Sequence, residues 1–219
     1  MYRQRYDLIV FDWDGTLMDS TAAITGAIQA ACGDMGLAVP SREAASYVIG
    51  LGLEDALRHA APDLPHAEYP RLAACYRKHY FALDQELTLF GGALELLREL
   101  KSAGYNLAVA TGKSRIGLSR AMDRPDLRGL FDTTRTADET FSKPHPAMLL
   151  EIMAELASRP QRTVMVGDTT HDLQMARNAE CDAVGVSYGA HDMAMLEGLA
   201  PAGLVHSVSE LHAFFRQNG

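Results

Sequence analysis

Residues 6–20 read YDLIVFDWDGTLMDS. Tyr6 to Phe11 is a short run of β-formers that ends abruptly in the acidic, glycine-containing turn Asp12-Trp13-Asp14-Gly15-Thr16, the pattern of a buried strand that stops where carboxylates begin. If the chain stays extended through the turn, Asp12 and Asp14 lie on one side and Trp13 on the other. Two carboxylates about 5 Å apart at an effective dielectric near ~20 repel by about 3 kcal/mol, so the site calls for a cation, a shared proton or open solvent. Gly15 and Thr16 let the turn tighten until its backbone N–H groups can face an anion. An acidic surface turn capping the next helix is the plainer reading of the same residues. A calcium loop is excluded, because its later acidic ligands and bidentate glutamate are missing.

Outward from this turn, the chain changes pattern twice. From about Ser20 to Thr88 it is helical and alanine-rich, broken at Gly36, Pro40, Gly50-Leu51-Gly52 and Pro62 to Pro65, which predicts roughly four helices and no strand. After Gly91 and Gly92, helix and strand alternate. Leu94, Leu97 and Leu100 mark a helix that stops at Gly104. Asn106 to Ala110, Thr163 to Val166 and Ala183 to Val186 read as strands, with helices led by Pro146, beginning near Thr170, and marked by Val208, Leu211 and Phe214. Such alternation predicts an α/β fold, a Rossmann-like parallel sheet covered on both faces. The expected organisation is a discontinuous core, residues 1–19 and 89–219, interrupted by an all-helical insertion at 20–88. Ligands of open parallel sheets bind at the carboxyl ends of the strands.

Each further chemical signal falls at such an end. Thr111 follows a strand directly, with Gly112 beside it; hydroxyl and N–H groups there could cradle a phosphate, and Thr111 reads equally as the cap of the next helix. A P-loop is excluded, since it requires glycine where Leu107 stands. Lys143 is held by the stiff Pro144-His145-Pro146 stretch and can be aimed. Asp168 ends another strand and Asp172 lies four residues on, so both can face the same edge. Helix-dipole stabilisation accounts for Asp172, but a buried strand end is an expensive place for the carboxylate of Asp168.

Composition narrows the function classes. The 219 residues are 47% apolar and 22% charged, the balance of an ordinary folded chain long enough to bury a core. With 20 basic and 28 acidic residues the net charge is −8, which opposes binding to a nucleic-acid backbone. Cys32, Cys75 and Cys181 are odd in number and widely spaced, predicting neither disulfides nor a zinc cage. The run Leu8 to Phe11 is too short for a signal segment and nothing approaches a membrane span, so a cytoplasmic protein without membrane contact is expected. The histidines show no metal spacing, and His145 and His171 receive no role.

The four signals, FDWDGTLMDS, VATGKS, SKPHP and VGDTTHD, resemble in order and context the motifs of the haloacid dehalogenase (HAD) superfamily, with residues 20–88 similar to a C1-type cap. The resemblance runs from about Tyr6 to Val205 and is nearest to phosphoglycolate-phosphatase-type enzymes. It implies an aspartyl-phosphate mechanism. Asp12 would be the nucleophile and Asp14 the general acid and base. Mg²⁺ would be bound by Asp12, the Asp14 carbonyl and Asp168, with Asp172 in support. Lys143 and Thr111, with Gly112 and the backbone near Trp13, would hold the phosphoryl oxygens. The implied partner is a small phosphorylated metabolite, and the implied assembly a monomer or homodimer.

Rival readings are weaker. A dehalogenase proper would need neither Mg²⁺ nor Asp14. A phosphonate hydrolase would need a cap lysine, and the insertion has only Lys78. A sugar phosphomutase or pyrophosphatase keeps the same core and differs chiefly in the cap. The cap carries five Lys and Arg against eight Asp and Glu, which does not advertise a polyanion. Its Gly50-Leu51-Gly52 loop is expected to dip toward the pocket, whereas Arg42, Arg58 and His59 read as exposed helix residues rather than leaving-group contacts.

Overall fold

The computed structural model describes residues 5–83 and 86–218; the stretches 1–4, 84–85 and 219, which the sequence assigns to the ends of its segments, lie outside the described residues. The central strand β1 is Leu8–Phe11, all of it buried. It is flanked by β2 (Asn106–Thr111) and β4 (Thr163–Gly167). Beyond them lie β3 (Thr133–Thr136), β5 (Asp182–Val186) and β6 (Gly203–Val205), in the order β3-β2-β1-β4-β5-β6. Every pairing is parallel. The α/β reading of the sequence is therefore correct. Register decides what meets at the edge: Phe11 pairs with Val109 and Val166, so Asp12, Thr111 and Asp168 all leave the sheet at one end.

Alternation along the buried strands builds two cores. Ile9, Phe11, Val109 and Val166 face α5 (Ala93–Ser102) and α10 (Val208–Asn218), where Leu97, Leu100 and Phe215 fill the layer. Leu8, Val10, Ala110 and Met165 face α7 (Ala147–Glu155) and α8 (Thr170–Asn178), meeting Leu149, Ile152 and Leu173.

Between β1 and α5 lie the four expected helices: α1 (Thr21–Asp34), α2 (Arg42–Tyr47), α3 (Leu53–Ala60) and α4 (Tyr69–Leu83), with a short 3-10 turn at His66–Glu68. They bury apolar residues of their own, Ile24, Ile28, Val48 and Tyr80 in one cluster and Cys32, Leu57 and Leu72 in another. The insertion joins the sheet through two chains running side by side. Asp19 N donates to Thr88 O (3.0 Å) and Phe90 N to Leu17 O (2.9 Å).

The sequence reading implies a helix after Thr111 without giving it a range, which is α6 (Arg115–Met122), and lacks β3, α9 (Met193–Glu197) and β6. β3 and β6 are the two edge strands, and β3 is the polar TTRT, half-buried for three of its four residues. An edge strand covered on one side carries no apolar run to announce it.

Candidate active site

β1, β2 and β4 deliver their side chains to one place because they end in register. At its centre lies Lys143, 2% exposed, its Nζ 2.8 Å from Asp12 Oδ1 and 2.7 Å from Asp172 Oδ1. Asp172 is held in turn by α8: its Oδ2 accepts from Thr169 N (3.0 Å) and Thr169 Oγ1 (2.6 Å) in a capping box. Asp172 stands in the first turn of α8, as the dipole reading of the sequence assumes, and the same side chain also faces Lys143. Asp168, fully buried, accepts from Thr16 Oγ1 (2.8 Å) and from Ala190 N (2.7 Å). Gly15 turns the chain beneath it at φ +81, and a Cβ there would collide with the Asp168 carboxylate. The aspartate-glycine turn and the β4 exit are therefore one packed unit.

Asp14 stands apart from this cluster. Its Oδ1 accepts from Ser20 Oγ (2.7 Å) and lies 3.0 Å from Lys113 Nζ, which also donates to Tyr80 Oη of α4 (2.8 Å). Ser20, Lys113 and Tyr80 were not singled out from the sequence, and Thr16 only as part of the turn. Lys113 sits inside the VATGKS stretch, but nothing in the sequence shows that α4 and Asp14 converge on it. Thr111, 1% exposed, accepts from Lys113 N (3.2 Å), whereas the cap of α6 is Ser114, which accepts from Gly117 N. Of the two readings of Thr111, the helix cap is excluded.

Asp12, Asp14, Thr111 and Gly112 open on a cavity of about 530 Å³ between sheet edge and insertion. Lys143, Asp168 and Asp172 are buried against Asp12. The Trp13 side chain points away, as its position between two aspartates requires, and lies edge-on to Phe131 at 6.4 Å. The Gly50-Leu51-Gly52 loop lines the cavity as expected. Gly52 N donates to Ser142 Oγ (2.8 Å), and a Cβ on Gly112 would collide with the carbonyl oxygens of Leu51 and Gly50. Gly112→Ala should therefore push this loop off the sheet edge and lower kcat/KM by about tenfold, about 1.4 kcal/mol of transition-state stabilisation, with little change in melting temperature. Unchanged steady-state kinetics would show that loop seating is not needed.

Arg58 and His59 do not reach the cavity: Arg58 pairs with Glu54 and His66, and His59 Nδ1 with Asp55 O. Nor does Arg42 line it. His171, given no role, and His191 both place Nε2 against Tyr47 O (2.9 and 3.0 Å), so both donate across the junction of insertion and core.

Charge explains why these groups suit a cation. Burial pushes the Asp12 carboxyl well above its ordinary value of 3.8; Lys143 opposes this, and Asp172 and Asp168 reinforce it. Burial likewise pushes Asp168 up to about 7, helped by Asp172. For Lys143, burial alone would favour the neutral amine, but Asp12 and Asp172 outweigh it and keep the ammonium charged. One ammonium cannot neutralise three buried carboxylates.

Asp12, Asp168 and Asp172 each offer an oxygen within 4.8 Å of the others. Asp12 Oδ1 pairs with Lys143 Nζ, whereas Oδ2 has no hydrogen-bond partner among the described residues. An all-oxygen, carboxylate set with an unsatisfied member fits a hard divalent cation such as Mg²⁺, which binds through a few carboxylates and completes its shell with water or phosphate. No described helix is long and apolar enough to cross a membrane.

Comparison with known proteins agrees with this geometry. Residues 9–186 match the model of the family described as haloacid dehalogenase-like hydrolase. The chain is 36% identical over 211 residues to a protein of Dickeya dadantii named "Probable phosphatase IndB", covering 93% of this chain and 91% of that one. It is 30% identical over 196 residues to a phosphoglycolate phosphatase of Agrobacterium fabrum, covering 87% and 84%. Among solved structures, a predicted phosphoglycolate phosphatase from Haemophilus somnus superposes with a TM-score of 0.85 at 25% identity, over 96% of this chain and 98% of the other. The matched span takes in the aspartate turn, the Thr111 and Lys143 segments and the Asp168 exit, the four places the fold brings together. The chain is an enzyme, and it belongs to the haloacid dehalogenase-like hydrolase family.

Proposed function

We propose that this enzyme is a Mg²⁺-dependent phosphatase that hydrolyses a small phosphate monoester through a phosphoryl group carried on Asp12. The observation that carries the reading is the buried Asp12 carboxylate, its Oδ1 paired with Lys143 at 2.8 Å and its Oδ2 without a hydrogen-bond partner among the described residues. The names of the Dickeya and Agrobacterium relatives support it. Among small esters, 2-phosphoglycolate is the one suggested by the sequence resemblance and by the Agrobacterium relative's name.

In the first half-reaction an Asp12 oxygen attacks phosphorus. The bond from phosphorus to the ester oxygen breaks, and the departing oxygen keeps the electron pair and takes a proton from Asp14. In the second, water gives a proton to Asp14 while its oxygen attacks phosphorus. The bond to Asp12 breaks, releasing inorganic phosphate and restoring both aspartates. Lys143 favours the ionised form of Asp12 against the effect of burial and attracts the phosphoryl oxygens, and Thr111 offers its hydroxyl to them. Mg²⁺, held by Asp12, the Asp14 carbonyl and Asp168 with Asp172 in support, would supply the charge neutralisation that lets a carboxylate meet a phosphate dianion. The insertion acts as a cap: the paired chains at Leu17–Asp19 and Thr88–Phe90 are its hinge, and Lys113 between Tyr80 and Asp14 ties the closed cap to the acid.

Hydrolysis of phosphate esters in the presence of Mg²⁺, and its loss on chelation, tests the reading. Asp14→Asn should still accept a phosphoryl group from a donor with a good leaving group but release it about 10²- to 10⁴-fold more slowly. Intact-protein mass spectrometry would then show the phosphoenzyme. Normal turnover by this variant would remove Asp14 from the proposal.

A further inference from the structure

The side of the cavity that the cap supplies has a chemistry the reaction itself does not require. α1 presents Ile24 and Ile28 and α4 presents Tyr76 and Tyr80, each pair four residues apart and so on one helix face; Val48 and Ile49 complete this wall. The Tyr76 and Tyr80 rings stack with centroids 5.7 Å apart and planes 16° from parallel, which gives this wall a stacked aromatic surface. Lys113 fixes one edge of that surface by its bond to Tyr80 Oη.

The charges round the same cavity disfavour a second anionic group. Among the described residues lining it, the cations are Lys113 and Arg77. The Lys113 ammonium is already 3.0 Å from Asp14, and Arg77 is exposed. Against them stand Asp55 and Asp138, and Glu54 with its partner Arg58, in addition to the two aspartates of the turn. A carboxylate or a second phosphate on the leaving group would find no buried cation left to meet it. A very small leaving group would also leave most of a 530 Å³ cavity to water.

Resting on the phosphatase reading above, we propose that the preferred substrate is a phosphate monoester of an uncharged, ring-bearing alcohol, of which a nucleoside is the type, with the ring lying against Tyr76 and Tyr80. A flat ring gains the apolar wall and a stacking partner at once. This ranks such esters above 2-phosphoglycolate and above pyrophosphate.

The test is the wild-type kcat/KM, with Mg²⁺, for uridine 5′-monophosphate and phenyl phosphate against 2-phosphoglycolate and pyrophosphate. At least one ring-bearing ester should exceed both anionic compounds by about tenfold or more. Tyr76→Leu keeps an apolar side chain but removes the flat face. It should cost the ring-bearing esters about tenfold, chiefly in KM, and cost the anionic compounds less. Tyr76→Phe, which keeps the ring, should restore the preference, a result that a merely structural role for Tyr76 would not give. Faster turnover of 2-phosphoglycolate or pyrophosphate, or an equal loss on all four compounds in Tyr76→Leu, overturns the proposal. Phosphorylation of the wild-type enzyme by acetyl phosphate separates the two levels. If Asp12 is labelled while the ring-bearing esters lose, only the substrate class is wrong; if nothing is labelled or hydrolysed, the phosphatase reading fails and this inference with it.

Discussion

Replacing Asp12 with asparagine is expected to lower kcat by about four orders of magnitude or more and to abolish the phosphoenzyme, because the carboxylate oxygen proposed to attack phosphorus is gone. The change is nearly isosteric, and it removes one of three crowded carboxylates. The metal-free fold should therefore keep or gain stability, separating loss of chemistry from loss of structure. Burial and the charges of Asp172 and Asp168 already push the native Asp12 carboxyl upward, so a neutral amide at this position is no worse for the core. A variant that folds and retains turnover within tenfold of the wild type would show that another group attacks.

The second large effect is expected from Lys143→Ala, this time on stability as well as activity. The ammonium is fully enclosed and lies between Asp12 and Asp172. Its removal leaves two buried carboxylates without their counter-charge, a situation that costs about 3–5 kcal/mol. For a chain of this size that is roughly a 6–20 °C fall in melting temperature. Removing the matching carboxylate should recover part of the loss, so Lys143→Ala/Asp172→Asn should melt above Lys143→Ala alone while remaining inactive. If the single variant melts with the wild type, the lysine is not the counter-charge that the distances describe.

Much of this site could be read in the sequence because each half of it follows one simple rule: an apolar run stops at a polar residue. Phe11–Asp12, Ala110–Thr111 and Val166-Gly167-Asp168 each mark a strand exit, and parallel topology alone brings such exits to one edge. Lys143 was readable for a different reason, the prolines after it. What escaped depends on contacts between distant parts of the chain. Lys113 looks like any solvated lysine until α4 places Tyr80 over it. His171 and His191 have no local pattern, because what joins them is the Tyr47 carbonyl of the cap. The bounds of α6 are equally hard to read: it buries only Leu118 and leaves Ile116 73% exposed, so no apolar stripe marks it. β3 and β6 escaped as edge strands whose partners, not their own residues, make them strands.

The most direct measurement is the location of the phosphoryl group. Asp14→Asn enzyme treated with acetyl phosphate and Mg²⁺, reduced with borohydride and digested, should show conversion at Asp12 alone when its peptides are sequenced by tandem mass spectrometry. Conversion at any other aspartate, or phosphate ester hydrolysis by an enzyme that never carries the group, would contradict the account.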